Sequence, residues 1–440
     1  MKRIISILII LSLVMGVIGG CRGKEENAKK QESTSGVVET KTTKQEKGTD
    51  KKVQRLDFVW FSDGVEGDVT KEIIKEYQAK NSHININMIE VPYKDLETKL
   101  KVMISGGEPP ALSRLTQLGA FKDTLVDLSQ YIKDSDKFID QFSDSLQSFY
   151  ILDGKVIAAP IDTTANGIIY NKTAFDKAGI SVPASPDNIW TWDEWADALK
   201  QVMEKGGVRY GMVFDKTPHR FSTLIYQAGG RMLSEDGKKV VINSPEVVET
   251  VNFFVKLHQE GIIPDSVWLG SENPNNLFRT GQVGMHFSGS WMLTNYRDNV
   301  EGFEWGVTYM PKGKIRSSVP GGKYIGAFQN SGVEEGAVDF IQYFTSKEVN
   351  AKYAKESLFI SPRKDNANLD YDFGKDMFAI FANELLVTPG AAAQDWADPI
   401  LIPAIQNELR DGIVEVMAGR MTAEEMLNDV AAKGQEAIDK

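Results

Sequence analysis

Four histidines stand at His83, His219, His258 and His286, and none belongs to the H-E-x-x-H spacing of a zinc protease. Gly321-Gly322-Lys323 has the look of a phosphate-loop ending. Tyr324 follows where Ser or Thr must sit, and Ser317 occupies the place of the first glycine. Residues 286–290 read H-F-S-G-S, so Ser290 is not the nucleophile of a G-x-S-x-G elbow. Carboxylates number 61, enough for many general acid–base pairs, yet no spacing singles out two for glycoside cleavage. The single cysteine, Cys21, excludes an internal disulfide. A surface-displayed glycoside-active enzyme stays open on carboxylate number alone. No cofactor and no metal are expected, and what remains is recognition.

The chain has 440 residues, too many for one ordinary core, so two domains are expected. The formal charge is −11, and no long basic tract follows residue 52, which argues against nucleic acid as a partner. Residues 56–61 read as a strand, 69–80 as a helix with Ile73, Ile74 and Tyr77 on one face, and 84–91 as an alternating strand. A helix over 93–104 and a short strand over 111–115 follow, the pattern of a sheet covered by helices. Asp153-Gly154, between apolar runs at 148–152 and 155–159, predicts a tight hairpin, and Pro160 should end its second strand. Residues 162–164 read as a polar bridge, 167–170 as a further strand, and a short helix should end at Gly179. Thr191 and Glu194 have capping-box spacing, as do Thr422 and Glu425. Trp192 and Trp195, at helical spacing with Leu199, are expected in a core. Ser244 is expected to cap the helix that Pro245 opens and Gly261 closes. Strands are expected at 210–214, 284–287, 305–311 and 320–328, and a single helix over 338–353.

At the N-terminus, Lys2-Arg3 precede an apolar run over 4–18 and the small residues Gly19-Gly20. That is the pattern of a signal peptide over 1–20, too short for a comfortable membrane span. Ile18-Gly19-Gly20-Cys21 resembles a lipobox, which implies acylation of Cys21, with cleavage before it. Residues 22–52 are rich in Lys, Glu, Gln, Ser and Thr and cannot bury a core. They are expected to form a tether with a reach of roughly 30 Å.

One stretch carries a resemblance. Residues 154–179 contain G-K-V-I-A-A-P, Y-N-K and F-D-K-A-G in order, followed by T-W-D-E-W from Thr191. In that order and spacing they resemble the extracellular solute-binding proteins, family 1, including the maltodextrin-binding proteins; Val156-Ile157 departs where the family has an aromatic. The L-F-x-x-G-x-x-G-M run from Leu277, the G-x-W turn at Gly289–Trp291, W-G-V from Trp305 and the closing G-x-x-T-x-E-E run from Gly419 extend the likeness.

The resemblance implies an α/β protein of type II periplasmic-binding-protein fold, with two α/β lobes joined by a hinge. The chain is expected to cross near Asp162, Thr308 and Ile360. After a tether to 54, the lobes would comprise 55–162 with 309–360, and 163–308 with 361–440. It implies a receptor that takes a carbohydrate, an oligosaccharide in particular, between the lobes and delivers it to the permease subunits of an ABC importer. Such a monomer would be held by acylated Cys21 on the outer face of the cell membrane. A sensing lipoprotein without transport is the second alternative. Sugar rings want aromatic platforms rimmed by polar groups. Carried over by motif, the ligand contacts are Trp60, Ser62 and Asp63; Asp162 and Thr164; His219 and Arg220; and Trp291. Arg114, Tyr324, Arg363 and Trp396 join them from comparable loops. Trp291 is expected to stack on a sugar ring, and Ser290 to cap the helix it begins.

Overall fold

The computed structural model describes residues 53–367 and 369–440. The expected leader, Cys21 and the tether up to residue 52 lie outside them. None of the described helices is long and apolar enough to cross a membrane.

Strands β1 (Gln54–Trp60) and β2 (Ile84–Glu90) pair in parallel, from Gln54 opposite Ile84 to Trp60 opposite Glu90. A parallel pair needs a crossover, and the helix Glu66–Lys80 supplies it, burying Val69, Ile73, Ile74 and Tyr77. β3 (Leu112–Leu115) adds to the other edge of β1. β4 (Ile151–Leu152) and β5 (Lys155–Val156) form the expected hairpin. Its Asp153 and Gly154 have φ of 52° and 73°, as a two-residue turn of this hand requires.

The long strand β6 (Ala159–Asn171) belongs to both halves of the molecule. Its first part, up to Ala165, pairs with β10 (Pro320–Ala327), which pairs in turn with β3. From Asn166 onward it pairs with β8 (Val283–Gly289) and, from Ile168, with β9 (Trp305–Thr308). β7 (Tyr210–Phe214) closes the sheet beside β8, giving the order β2-β1-β3-β10-β6-β8-β7 with β9 on β6. Helices cover both halves, making two α/β lobes. In the first, Phe58, Trp60, Phe344 and Tyr353 pack edge-on or tilted. In the second, Phe214 meets Phe287, Phe254 and Trp268.

Three departures from expectation have physical causes. Pro160 does not end a strand: β6 starts just before it and runs through the expected bridge at 162–164. Its missing N–H is tolerated because the register with β10 shifts opposite it, between Lys323 and Tyr324. The expected helix over 338–353 is two helices, Glu334–Phe344 and Lys347–Ser357, broken where Ser346 takes extended backbone with ψ of 156°. Ser244 precedes the helix Pro245–Gln259 as expected, but its side chain makes no capping hydrogen bond. Both expected capping boxes are formed.

Two passages between the lobes, β6 and β10, lie side by side at Thr163, with the Ile360 segment beside them. The Thr163 N–H donates to the Ile360 carbonyl at 2.9 Å, and its hydroxyl to the Gly321 carbonyl at 3.1 Å. The middle passage is at Gly321, not Thr308. Residues 309–319 stay on the second lobe, with Lys312 bonded to Trp190, Ile315 to Gln227 and Ser318 to Asn166. After Ile360 the chain stays on the first lobe, where Ser361 bonds Asn350 and Arg363 bonds Gln141 and Thr345. It reaches the second lobe by Phe373, whose ring meets Trp305. These contacts support lobe boundaries near Gly321 and Asn366 in place of 308 and 360.

Buried Asn350 ties two of these segments together: its amide donates to the Ile161 carbonyl at 2.8 Å and its oxygen accepts from Ser361 at 2.6 Å. Asn350→Leu strands both partners away from water, so urea unfolding should report a loss of about 1–3 kcal/mol. A loss under about 0.5 kcal/mol would show that these ties do not hold the hinge.

Candidate functional site

The carboxyl ends of β1, β3, β7 and β8 point into the space between the lobes. Chain leaving strand ends is where α/β folds hold ligands. There Phe61 and Asp63 follow β1, Thr116 and Gln117 follow β3, Lys216 to Arg220 follow β7, and Trp291 follows β8. Together with Tyr93, Phe149, Thr164, Pro320 to Tyr324, Trp396 and part of the helix Leu401–Met417, they line a cavity of about 360 Å³. The lobes touch on either side of it. A Cβ on Gly64 would lie 2.6 Å from Thr294 Oγ1, and one on Gly119 would lie 2.7 Å from Pro399 Cα.

The floor is a cluster of charges around Arg114, which is fully buried. Its guanidinium donates to the Phe61 carbonyl at 2.7 Å and to Glu66 at 2.9 Å, with Asp63 at 3.3 Å and Asp162 at 3.6 Å. It lies over the rings of Phe61 at 4.3 Å and Trp60 at 4.9 Å. Lys323 Nζ adds a second cation, 3.3 Å from Asp63 and 3.9 Å from Asp162. Burial pushes the Asp63 carboxyl up, but Lys323 and Arg114 outweigh it and hold it below the usual carboxylate range. For Asp162 burial wins, helped by Asp63 and Glu66, and its carboxyl is raised.

The first lobe's wall is aromatic. Phe61 meets Tyr93 at 4.9 Å between ring centres, and Phe149 stacks on Tyr324 at 6.3 Å. The second lobe's wall is built on the helix Pro218–Gln227, capped by Thr217, whose hydroxyl accepts from the Arg220 N–H. His219 packs edge-on against Trp396, whose indole N–H donates to Ser222 at 2.8 Å. Arg220 lies over the Trp291 ring at 4.0 Å. Behind it, Asp215 accepts from Arg220 at 3.3 Å and from Ser288 at 2.7 Å, and lies 2.7 Å from His286 Nε2. Burial pushes Asp215 up, but His286, Arg220 and Ser288 outweigh it and hold it at about 2.

A match to a family model, described as bacterial extracellular solute-binding protein, spans residues 72–378. The chain belongs to that family. It is similar to a binding protein of Brucella abortus, 26% identical over 390 residues, which are 85% of this chain and 90% of that one. The arabinooligosaccharide-binding protein of Bacillus subtilis is 25% identical over 262 residues, 57% of this chain and 53% of its own. Among solved structures, the Listeria monocytogenes ABC substrate-binding protein in complex with cycloalternan superposes with a TM-score of 0.76. It is 24% identical and covers 88% of this chain and 99% of that one. The maltose-bound MalE3 of T. maritima gives 0.74 at 21% identity, covering 87% and 99%. The shared architecture is the type II periplasmic-binding-protein fold.

Of the residues carried over by motif, Asp63, Thr164, His219, Arg220, Trp291, Tyr324 and Trp396 line the cavity of this solute-binding protein. Trp60 does not: it is fully buried among Phe58, Phe344 and Tyr353 and supports Arg114 from below. Ser62 accepts from the Trp60 indole at 3.2 Å, outside the lining. Arg114 and Asp162 are buried beneath the floor. Arg363 is held away on the first lobe by Asp365, Gln141 and Thr345. Trp291 is not a free platform, since Arg220 already covers its ring and the indole is 9% exposed. It folds back on Gly289, where a Cβ would lie 2.1 Å from Trp291 Cζ3. Ser290 caps nothing; it is the first residue of a short 3-10 turn, and its hydroxyl accepts from the Ala165 N–H.

Sequence reasoning missed Phe61, Tyr93, Phe149, Lys216 and Lys323 in the lining, and Glu66 beneath it. Lys323 had a legible signal, a lone cation in an otherwise uncharged strand. Phe149 had none, since its place depends on how a short helix before the hairpin meets β10. Among the described residues, no group of three or more His, Cys, Asp or Glu is gathered as a metal needs.

Burial, with Arg220 beside it, holds the His219 imidazole down at about 3, against an ordinary 6.5. As pH falls, the unfolded chain takes this proton first, so the contribution is full above about 6.5 and is lost progressively towards 3. Asp215, depressed from 3.8, adds a further loss below about 4. The urea midpoint should therefore fall between about pH 7 and 5, and His219→Gln should flatten that part of the profile. An unchanged profile in the variant would show that this imidazole titrates normally.

Proposed function

We propose that the protein captures a carbohydrate, an oligosaccharide in particular, between its lobes and delivers it to an ABC importer. The observation that carries this reading is the lining itself. Aromatic rings on the first lobe face amide, hydroxyl and charged side chains on the second, the two kinds of surface a sugar ring presents. The relatives named for arabinooligosaccharide and the neighbour solved with cycloalternan support the same class. A type II hinge in which β6 and β10 pass between the lobes side by side suits closure on such a ligand.

The reading includes binding without turnover. Ser288, His286 and Asp215 come together, but Asp215 stands between the other two and accepts from both. The imidazole therefore does not face the Ser288 hydroxyl, as the base of a hydrolytic triad would; its Nδ1 meets the buried Tyr296 hydroxyl instead. Incubating the protein with any sugar it binds, and finding cleaved product beyond one equivalent, would move it to the enzyme class.

A thermal-shift screen over mono- and oligosaccharides tests the class, since ligand at a hundred times Kd stabilises by roughly 2.7 kcal/mol. Tyr93 is the cleaner aromatic to truncate, because it is 55% exposed and carries little of the core. Tyr93→Ala should weaken binding of the best sugar by about 1–2 kcal/mol in calorimetric titration, with folding stability nearly unchanged. Undiminished affinity would remove this wall from the site.

We also propose that the mature chain is anchored to the outer face of the membrane through acylated Cys21, on the apolar run and small residues before it. Cys21→Ala should shift the protein from the detergent phase to the aqueous phase on partitioning. Unchanged partitioning would refute the anchor.

A further inference from the structure

The charges around the cavity are not spread evenly. The whole chain carries a formal −11, yet four of the side chains lining this cavity are cations, Lys216, Arg220, Lys323 and Arg410, against one carboxylate, Asp63. Lys323 and Asp63 sit together at 3.3 Å on the first-lobe side and largely cancel. On the second lobe no carboxylate lines the cavity. Asp215, the partner of Arg220, lies behind it, bound also to Ser288 and facing His286. Arg410 shares its charge with its neighbour Asp411 at 2.8 Å. Lys216 has no ion-pair partner among the described residues.

One further feature bears on the same space. Lys216 and Arg220 flank the start of the ten-residue helix Pro218–Gln227, whose positive end adds to theirs.

We infer that the sugar this cleft takes carries an acidic substituent, a carboxylate, sulfate or phosphate, seated against Lys216, Arg220 and Arg410 of the second lobe. The inference rests on the carbohydrate reading above and specifies its substrate class. The aromatic first-lobe wall takes ring faces, and the basic second-lobe wall takes the charge. A wholly neutral sugar would leave Lys216 with no counter-charge in a closed cleft.

Matched pairs test this on the folded chain by calorimetric titration. One pair is a galacturonate oligosaccharide and its methyl ester; the others are a sulfated and a phosphorylated sugar, each with its neutral parent. The acidic member of at least one pair should bind about tenfold tighter or more, and the substituent that gives the largest ratio identifies the oxyanion. That ratio should shrink as salt rises from about 0.05 to 0.5 M. Lys216→Gln and Arg410→Gln should each reduce the ratio severalfold, beyond any effect on overall affinity. Neutral members binding as tightly as acidic ones, or ratios unmoved in both variants, would overturn the inference while leaving the carbohydrate reading intact. Failure of every sugar, with binding of some other solute, would overturn both.

Discussion

The Arg114 guanidinium is the interaction on which the cleft depends. It ties the loop after β1, the start of the helix Glu66–Lys80 and β3 itself into one body, with the hinge strand close by. A buried cation is costly unless it is paired, and here the partners are the Glu66, Asp63 and Asp162 carboxylates, the Phe61 carbonyl, and the rings of Phe61 and Trp60. Glu66 completes the arrangement by accepting from the N–H groups of Asp63 and Gly64, which fixes the turn that carries Asp63 to the cavity. Removing one partner would leave a buried charge uncompensated, a cost of about 3–5 kcal/mol, so these residues act as a unit. Trp60 and Asp162 belong to this unit and do not line the cavity.

That floor also reaches the hinge. Asp162 belongs to β6 one residue before Thr163, where β6 and β10 pass between the lobes beside the Ile360 segment, and it accepts from the Lys323 N–H on β10 at 3.1 Å. Lys323 in turn lies 5.8 Å from the Trp291 ring, which belongs to the other lobe. The charges that shape the cavity therefore sit on the strands that must bend for the lobes to part. The cavity floor and the strands between the lobes share one set of side chains.

Much of the fold was legible because it follows local rules. The hairpin at Asp153-Gly154, the two capping boxes and the alternating β2 each rest on residues adjacent in sequence. The motif order from Gly154 to Trp195 placed the architecture. The passages were less legible: Thr308 ends a strand, but what holds 309–319 to the second lobe is hydrogen bonding to Trp190, Gln227 and Asn166, none of them near in sequence. The site divided in the same way. Asp63, His219 and Arg220 follow strand ends and could be placed by motif, whereas Trp60 shares the strand-end pattern and turns inward. Which way a strand-end aromatic faces depends on Phe344 and Tyr353, almost three hundred residues away.

Trp291 reaches the cavity, but its ring face is already covered by Arg220. The G-x-W turn delivers the indole to the cavity, and the absence of a side chain at Gly289 lets the ring fold back against its own backbone. That leaves a flat surface, and Arg220 occupies it, steered by Asp215, which is itself fixed by Ser288 and His286. A guanidinium over an indole gains about 0.5–2 kcal/mol, so a sugar ring must outbid it or bind alongside it. Alongside is the simpler solution. A ligand contacting the edge of Arg220 keeps both the cation–π contact and the ion pair, and gains a donor already held in place. The indole then serves as the rigid support that aims a charged hydrogen-bond donor into the cleft, and the aromatic faces a sugar can cover lie across the cavity on the first lobe.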